Sequence, residues 1–452
     1  MRSLSSLCLL ALASAMTMSV AACSSAEPAA SDDAVEGDVM DFTSGPKLRY
    51  DTYEVLFTNP ICAKRAYAGE VRSNAGNVLT HKPENVYCTQ ADSAASAERD
   101  SSPQKRLIDW IRDPATKEIF FAYLSFSNSV VAGELCTAIK ERNVKVTFVL
   151  DRETDLSRAN QLLACEPGNA DPAFKPRLEL RGHDATIGYA HNKIFMVNPR
   201  DAETVKIVFS SGNMSSGVVL HHENWHFLTV PANTHFARAH QCLMDGVLDH
   251  YRSKQEYGAF IKQCRDAIPI GEESDLKTFF VPGDGGRAGQ EITKGVRAAT
   301  SIDIAAHRFS YSSLRKELKK RFDAPNPPDV RLVVDDDLWW AGKGEEVGPN
   351  TKQESEMLAE LTERGLKTKY METNHAAHYL HHNKFIVFTT PQGDAAFTGA
   401  GNFTGTAFTD NFENFYYITI PHVVAAMKAQ HAHLYGDLAT APEDLPATNV
   451  LP

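Results

Sequence analysis

Two short stretches of this chain carry the same polar residues in the same order. "AHNKIFMVNP" spans 190–199 and "HHNKFIVFTT" spans 381–390, so His191 and Lys193 match His382 and Lys384. Side chains alternate between the faces of a strand, which places each His–Lys pair on one face. An imidazole can attack an electrophile or transfer a proton, and an ammonium can hold an anion.

Further polar residues follow both stretches at similar spacing. Each is followed by an Asn in a Gly-rich turn and then by a Glu beside aromatic residues: Asn213 and Glu223, then Asn402 and Glu413. If two related halves pack about a pseudo-twofold axis, two His, two Lys and two Asn converge. Such a cluster is positive and rich in donors, which suits a phosphoryl group.

The segments upstream of the two stretches also match. Residues 118–151 and 301–336 each read as a strand, an amphipathic helix and a buried strand ending in Asp. Alternating strands and helices predict an α/β fold of two related halves, each a mostly parallel sheet flanked by helices. We predict these limits: a first domain at 46–268, a second at 269–440, and a tail at 441–452.

This pattern resembles the phospholipase D superfamily, whose signature is HxK followed by an Asp and then a GSxN-like turn. The resemblance implies two phospholipase D-like halves with the active site at their interface, a phosphodiesterase activity, and no metal or cofactor. It also implies that His191 attacks phosphorus to form a phosphohistidine, while His382 protonates the leaving oxygen and then activates water or an alcohol. The reverse assignment stays open. Lys193, Lys384, Asn213 and Asn402 would bind the non-bridging oxygens.

The two Glu residues are expected to be buried, because aromatic residues flank them. A buried carboxylate needs a partner. We expect Glu223 and Glu413 to accept an imidazole N–H, with a structural Arg or Lys partner as the alternative. Which Glu serves which His stays open.

The chain departs from the family signature in two places. Asn198 and Thr389 occupy the positions of the signature Asp, which makes the pattern similar to the tyrosyl-DNA phosphodiesterase branch. In a continuing strand these positions face away from the site. Loss of the Asp should therefore affect the packing that supports the site more than the catalytic groups themselves. The family Ser is retained as Ser211 but is Ala400 in the second half, so the half-sites are not equivalent.

Several other residues are candidate ligand contacts. Ser211 is one; Trp339 and Trp340 follow a strand end and could grip an acyl chain or stack on a base, with core packing as the alternative. Arg308 could add charge to the cleft, with a surface salt bridge as the alternative. A run of His375, His378 and His381 before His382 has spacing that could suggest a metal, but the family needs none, so we predict no metal here.

The first residues read as an export signal. Arg2 and the apolar run 7–22 end in "VAAC", which predicts a signal peptide at 1–22, lipidation of Cys23 and a flexible linker at 23–45. We expect an exported bacterial lipoprotein anchored to the outer membrane. Six cysteines follow Cys23, all within the first 264 residues, and we predict disulfides between sequence neighbours: Cys62–Cys88, Cys136–Cys165 and Cys242–Cys264.

The net charge of the chain bears on whether it binds DNA. The 452 residues carry a net charge of −11, which disfavours non-specific coating of duplex DNA. From the resemblance to the phospholipase D superfamily we expect a phosphodiesterase that acts on phospholipids, by hydrolysis or headgroup exchange, and we expect it to be a monomer. The alternatives are an exported nuclease using the same histidines and a non-catalytic phosphate-binding lipoprotein.

Overall fold

The computed structural model describes residues 45–66, 84–344 and 350–445. The described chain builds two seven-stranded sheets, one in each half, and a small ribbon of two strands. The strands of the first half are β1 (Thr52–Thr58), β2 (Ala63–Ala66), β3 (Glu84–Tyr87), β4 (Glu118–Tyr123), β5 (Lys145–Asp151), β6 (Arg177–Arg181), β7 (Lys193–Val197), β8 (Thr204–Ser210) and β9 (Glu223–Pro231). Those of the second half are β10 (Leu276–Val281), β11 (Ser301–Ala306), β12 (Asp329–Asp335), β13 (Lys367–Met371), β14 (Lys384–Thr390), β15 (Gly393–Gly399) and β16 (Glu413–Ile418).

Helices cover the outer faces of both sheets and the region between the halves. In the first half they are α1 (Gln90–Glu98), α2 (Pro103–Arg112), α3 (Ser129–Arg142), α4 (Ser157–Leu163), α5 (Gly217–Leu220), α6 (His235–Asp249) and α7 (Lys254–Asp266). In the second half they are α8 (Gly285–Ala298), α9 (Ser312–Phe322), α10 (Asp337–Gly342), α11 (Thr351–Thr362), α12 (Gly405–Thr409) and α13 (Pro421–His433). Short turns of other helix types lie at Pro172–Phe174, His375–Ala377 and Leu434–Leu438. The predicted domain limit at 268/269 falls between α7 and β10, and both halves belong to one compact unit.

The two large sheets repeat the same topology. Their strand orders are β1-β9-β8-β7-β4-β5-β6 and β10-β16-β15-β14-β11-β12-β13, so each strand of one half has a counterpart in the other. The predicted α/β fold of two related halves is confirmed. The sheets are mixed, however, and not mostly parallel as we expected. In the first sheet β4–β5 and β5–β6 are parallel, and the other four neighbouring pairs are antiparallel.

The His-Asn-Lys stretches 191–193 and 382–384 are called the HNK motifs below. The strands that begin at these motifs, β7 and β14, are buried on both faces, which explains their unbroken apolar sequence. Along β7, Ile194 and Met196 enter a core shared by both halves, whereas Phe195 packs under the helices of its own half. In β14, Phe385 likewise enters the shared core, and Ile386 faces its own half. Burial on both sides fixes the register of these strands, because a shift of one residue would exchange the two faces.

All three predicted disulfides are present in the structure. Cys62–Cys88 joins the residue before β2 to the residue after β3, with Cα atoms 4.7 Å apart. Cys136–Cys165 ties α3 to the end of α4, and Cys242–Cys264 ties α6 to α7. The predicted signal peptide, Cys23 and nearly all of the linker lie outside the described residues, as does most of the tail. Among the described residues, no helix has the length and apolar character needed to cross a bilayer.

Candidate active site

Each HNK motif is held against the other half by backbone hydrogen bonds. The His191 N–H donates to the Phe412 carbonyl, and the Phe412 N–H donates to the Tyr189 carbonyl, at 3.0 and 2.9 Å. The second half repeats this arrangement: the His382 N–H donates to the His222 carbonyl and the His222 N–H to the Leu380 carbonyl. These bridges place the start of β7 beside the start of β16, and the start of β14 beside the start of β9.

The bridges produce a crossed pairing of histidine and carboxylate. Nδ1 of His191 lies 2.8 Å from Oε2 of Glu413, and Nδ1 of His382 lies 3.1 Å from Oε1 of Glu223. Both carboxylates are fully buried. Each motif histidine is thus paired with the carboxylate of the opposite half. The sequence had left open which Glu pairs with which His. A carboxylate accepting the Nδ1 proton leaves Nε2 free for chemistry and stabilises an imidazolium when one forms.

The two lysines lie in the same buried cluster. Nζ of Lys193 is 3.0 Å from Nε2 of His191, and Nζ of Lys384 donates to the carbonyls of His382 and Ser211. Because a lysine ammonium only donates, its contact with His191 requires an unprotonated Nε2. His191 is therefore neutral in this arrangement, with its Nε2 lone pair available.

Burial shifts the proton affinities of the four basic groups. Burial lowers the pKa of Lys193 to about 8. Burial and the nearby Lys193 lower the pKa of Lys384 well below its usual value, so the lysines of the two halves repel each other at close range. Burial also lowers the pKa of His191, against an opposing effect of Glu413, and it lowers the pKa of His382 further. An anionic ligand would relieve this cost by pairing with the cations.

The two asparagines have side-chain oxygens that no described residue satisfies. Oδ1 of Asn213 and Oδ1 of Asn402 are buried without a hydrogen-bond partner in the described part of the chain. Both residues directly follow a glycine that permits close packing. A Cβ on Gly212 would lie 1.8 Å from Oε2 of Glu223, and one on Gly401 would lie 2.2 Å from the Phe415 ring. The Gly–Asn turn therefore lets the carboxylate reach His382.

Ser211 does not face a ligand, which corrects our expectation of substrate binding. It is fully buried, and its hydroxyl accepts the backbone N–H of Asn224 at 3.0 Å. Its carbonyl accepts from Lys384. Ser211 thus fixes the turn before Asn213, and its counterpart Ala400 keeps the equivalent backbone bond from its N–H to the Asn414 carbonyl.

The buried strands that end in Asp position the HNK motifs. Asp151 accepts the N–H of Ala190 at 2.7 Å, and Asp335 accepts the N–H of His381 at 2.9 Å; each donor immediately precedes a motif His. A second histidine contacts each Asp: His183 in the first half and His375 in the second, at 3.2 and 2.9 Å. Sequence reasoning noted the two Asp residues as landmarks but missed His183 and the partner role of His375.

The positions of the missing signature Asp lie away from the histidines. Asn198 adopts a left-handed backbone with φ of 52°, and its side-chain oxygen caps the N–H groups of Lys117 and Glu118. Thr389 accepts a hydrogen bond from Lys428 at 2.9 Å. Both residues contact surface elements of their own half, so they support the strands and take no part in the buried cluster.

The tryptophans and Arg308 are engaged by protein groups. Trp340 is only 3% exposed and donates its indole N–H to Asp336, so it belongs to the core and our substrate-binding expectation for it is wrong. Trp339 packs on Tyr370, with ring centroids 5.3 Å apart. Arg308 forms a buried ion pair with Asp337, so it is neither a free cationic contact nor a surface salt bridge.

Two groups of side chains bring three potential metal-binding atoms within 4.8 Å of one another in the described residues: His221, Glu223 and His382, and Asp335, Asp337 and His375. In the second group Arg308 pairs with Asp337, and His375 already contacts Asp335. In the first, both imidazoles face one carboxylate oxygen, as a hydrogen-bonded set would. The charges in both groups are balanced by protein partners, and we assign no metal ligand.

His381, the neighbour of His382 in the chain, is fully buried. Burial lowers the pKa of His381 to about 4, so the ring is neutral and serves as a core residue.

Comparisons with known proteins show what this chain is similar to. Residues 295–435 match the family model described as "Cardiolipin synthase, PLD-like domain". No curated protein sequence matches the chain. In structure, the chain is similar to phosphatidylserine synthase from Haemophilus influenzae, with a TM-score of 0.52 and 15% identity over 77% of this chain and 88% of that one.

Weaker similarities extend to a polyphosphate kinase from Porphyromonas gingivalis and to yeast tyrosyl-DNA phosphodiesterase. The first has a TM-score of 0.46 and 12% identity over 73% of this chain and 47% of the kinase. The second has a TM-score of 0.44 and 11% identity over 69% of this chain and 86% of the other. The predicted resemblance to the phospholipase D superfamily is confirmed, in sequence for residues 295–435 and in fold across both halves.

Proposed function

We propose that this chain is a phosphodiesterase that cleaves phospholipids by the two-histidine chemistry of phospholipase D, by hydrolysis or by headgroup exchange. The observation that carries the proposal is the crossed pairing, in which each motif histidine is held by a buried carboxylate of the other half. Two buried lysines of lowered proton affinity complete a cluster prepared for an anion. A phosphodiester is the anion on which histidine nucleophiles and lysine cations act together.

In the first step Nε2 of His191 attacks phosphorus and the bond to the leaving oxygen breaks. Lys193, which contacts Nε2 at rest, exchanges this contact for a non-bridging oxygen of the phosphate. His382 supplies the proton that the leaving alcohol needs. The phosphohistidine ring retains a proton on Nδ1, and Glu413 stabilises the positive charge that the ring then carries.

In the second step the neutral His382 accepts a proton from water or from an alcohol. The oxygen attacks phosphorus, the bond to His191 breaks, and both histidines return to their initial states. Splitting the displacement into two steps lets one pair of histidines act on both the leaving and the entering oxygen. The roles of His191 and His382 follow the family resemblance. The contact between Lys193 and the free Nε2 of His191 also favours His191 as the nucleophile.

A phospholipid is favoured over nucleic acid by charge. The whole chain has a net charge of −11, so it lacks the excess of cations from which proteins gain affinity for a polyanion. A phospholipid instead presents a single phosphodiester.

The proposal can be tested with the full chain in the presence of EDTA. The substrates are a chromogenic phosphodiester, mixed phospholipid vesicles and single-stranded DNA, and the variants are His191→Ala and His382→Ala. We expect cleavage of the phosphodiester and of the vesicles, and a loss in each variant of about 10³-fold, the scale of acid–base and covalent contributions. His433→Asn, which removes an exposed imidazole paired with Asp437, serves as the control.

Three outcomes would contradict the proposal. Loss of activity in EDTA would exclude the two-histidine mechanism. Equal inertness of all proteins on all substrates would favour a binding protein. Cleavage of DNA that weakens steeply with salt, without cleavage of vesicles, would identify a nuclease, because counterion release makes nucleic-acid binding strongly salt-dependent.

We further propose that the chain is exported and anchored through a lipid on Cys23. The supporting observations are the apolar run that ends in "VAAC" and the three disulfides of the described residues, which are typical of oxidising compartments. Labelling of cells with a radioactive fatty acid should mark the wild-type chain and not Cys23→Ser. Equal labelling of both would contradict the anchor.

A further inference from the structure

The two half-sites also differ at a pair of matching positions beside the carboxylates. Two residues before each Glu lie His221 in the first half and Asn411 in the second. Both contact the carboxylate that follows them. Nδ2 of Asn411 donates to Oε1 of Glu413 at 3.1 Å, and Nδ1 of His221 lies 3.0 Å from Oε1 of Glu223. One carboxylate therefore serves an amide and a histidine, and the other serves two histidines.

The contacts of His221 fix its protons. Its Nε2 lies 2.7 Å from the carbonyl oxygen of His378, which can only accept, so Nε2 carries a proton. If the ring were neutral, Nδ1 would then present a lone pair to the carboxylate of Glu223 at 3.0 Å. Two lone pairs repel at this distance, so a proton must lie between them. Both ring nitrogens of His221 thus face oxygen acceptors, and a ring that carries a proton on each nitrogen satisfies both contacts.

The same carboxylate oxygen also faces His382. Oε1 of Glu223 lies 3.1 Å from Nδ1 of His382 and accepts a hydrogen bond from it. Burial lowers the pKa of His382 well below its usual value, and in the neutral ring the proton on Nδ1 leaves none on Nε2. The rings of His221 and His382 have centroids 5.6 Å apart. A cation at His221 thus lies beside His382 and divides the charge of the carboxylate that would otherwise stabilise a second cation.

We infer that His221 is a positioning residue that shares Glu223 with His382, holds one extra proton, and keeps the resting His382 neutral. The inference rests on the proposed function and deepens it, because it specifies how the two histidines are kept in different states. Glu413, whose other partner is an uncharged amide, offers its full charge to His191.

Other basic groups lower the pKa of His382 in the same direction. Lys384 lies two residues further along the chain, Lys193 comes from β7, and His307 at the end of β11 has its ring centroid 5.1 Å from that of His382. After burial, these three groups and His221 lower the pKa of His382. A bound phosphodiester would oppose them and allow His382 to gain a proton, and an acid of lowered pKa releases that proton readily to the leaving oxygen.

The test compares the wild type with His221→Asn, which copies the arrangement at Asn411 and keeps a donor on Glu223. Ring-nitrogen NMR of the full chain reports the proton on each nitrogen of His221 and His382. At pH 7 we expect both nitrogens of His221 to be protonated and only Nδ1 of His382. In His221→Asn the titration midpoint of His382 should rise by ~1 pH unit. The limb of the pH–rate profile governed by His382 should move upward with it.

His433→Asn is the control, because it also removes an imidazole that is paired with a carboxylate. Its partner Asp437 is exposed and lies outside the site. A singly protonated His221 at pH 7 would overturn the inference, as would an unchanged midpoint of His382 in His221→Asn. If the variant does not fold, the measurement on His221 in the wild type decides. If the protein cleaves no phosphodiester but the NMR results hold, the proposed function fails and the proton arrangement stands.

Discussion

Replacing Glu413 with Gln should disable His191, although the two residues lie in different halves. The carboxylate is fully buried, with Oε2 on His191 and Oε1 on Asn411. Both partners donate to it, and the carboxylate accepts from both. A glutamine has one oxygen, so it can accept from only one of them, and its NH2 group then opposes the other donor. The substitution therefore removes a charge and also disturbs the Nδ1 proton of His191.

The expected loss of activity in Glu413→Gln follows from the distance between the carboxylate and the charged ring of His191. The positive charge of a phosphohistidine or imidazolium is spread over the ring, on the order of 4 Å from the carboxylate, where an effective dielectric of about 20 gives about 4 kcal/mol. A remaining neutral hydrogen bond returns ~1 kcal/mol. The difference, about 3 kcal/mol, corresponds to a loss in kcat of about 100-fold.

The assay combines single-turnover kinetics on a chromogenic phosphodiester with NMR titration of both motif histidines. Glu413 raises the pKa of His191, so Glu413→Gln should lower it and leave His382 unchanged. Glu273→Gln is the matched control, since Glu273 is also a buried carboxylate and accepts from the Phe236 N–H outside the site. The crossed pairing would be refuted if His382 responded in place of His191, or if kcat stayed at the wild-type value.

Two further predictions concern stability. Gly212→Ala should lower activity by about 100-fold and stability by ~2 kcal/mol, because its Cβ would overlap Glu223, whereas Gly133→Ala, with open space in α3, should stabilise by ~0.5 kcal/mol. Equal melting temperatures of the two variants would contradict this. Burial lowers the pKa of His375, but Asp335 and Asp337 outweigh it and raise the pKa overall. Its contribution to stability is therefore fully present below about pH 6.5 and lost as pH rises through the raised value. The difference in melting temperature between wild type and His375→Gln should be largest near pH 5.5, and a difference that grows with pH would contradict this.

Much of the fold could be predicted because the chain repeats itself. The matched HNK motifs, Gly–Asn turns and Glu residues indicate two equivalent halves, and the apolar runs predict strands buried on both faces. The antiparallel strand pairs of each sheet could not be predicted from the sequence. Parallel and antiparallel strands carry similar apolar runs when both of their faces are buried. The strands β7 and β8 are joined by residues 198–203 alone, and this short connection was the available signal for antiparallel pairing.

The crossed pairing of the site could not be derived from spacing. It depends on backbone bridges between the Phe412 region and His191, which are set by how the halves pack. His221 did leave a signal. In the alignment of "HHENWHFLTV" with "NFENFYYITI", His221 stands opposite Asn411, and this difference next to a key carboxylate marked an unequal pair. The burial of Trp340 left no such signal, since an aromatic pair after a strand suits a cleft as well as a core.

The difference between His221 and Asn411, which occupy matching positions of the two halves, bears on how the two histidines of a duplicated site come to have different roles. With equal surroundings, the two imidazoles would be degenerate, because neither would be favoured as the group that attacks phosphorus or as the group that donates the proton. Because both halves lie in one chain, a single substitution can lift this degeneracy without disturbing the symmetry of the backbone. One imidazole in place of one amide gives the two motif histidines different surroundings and so different roles.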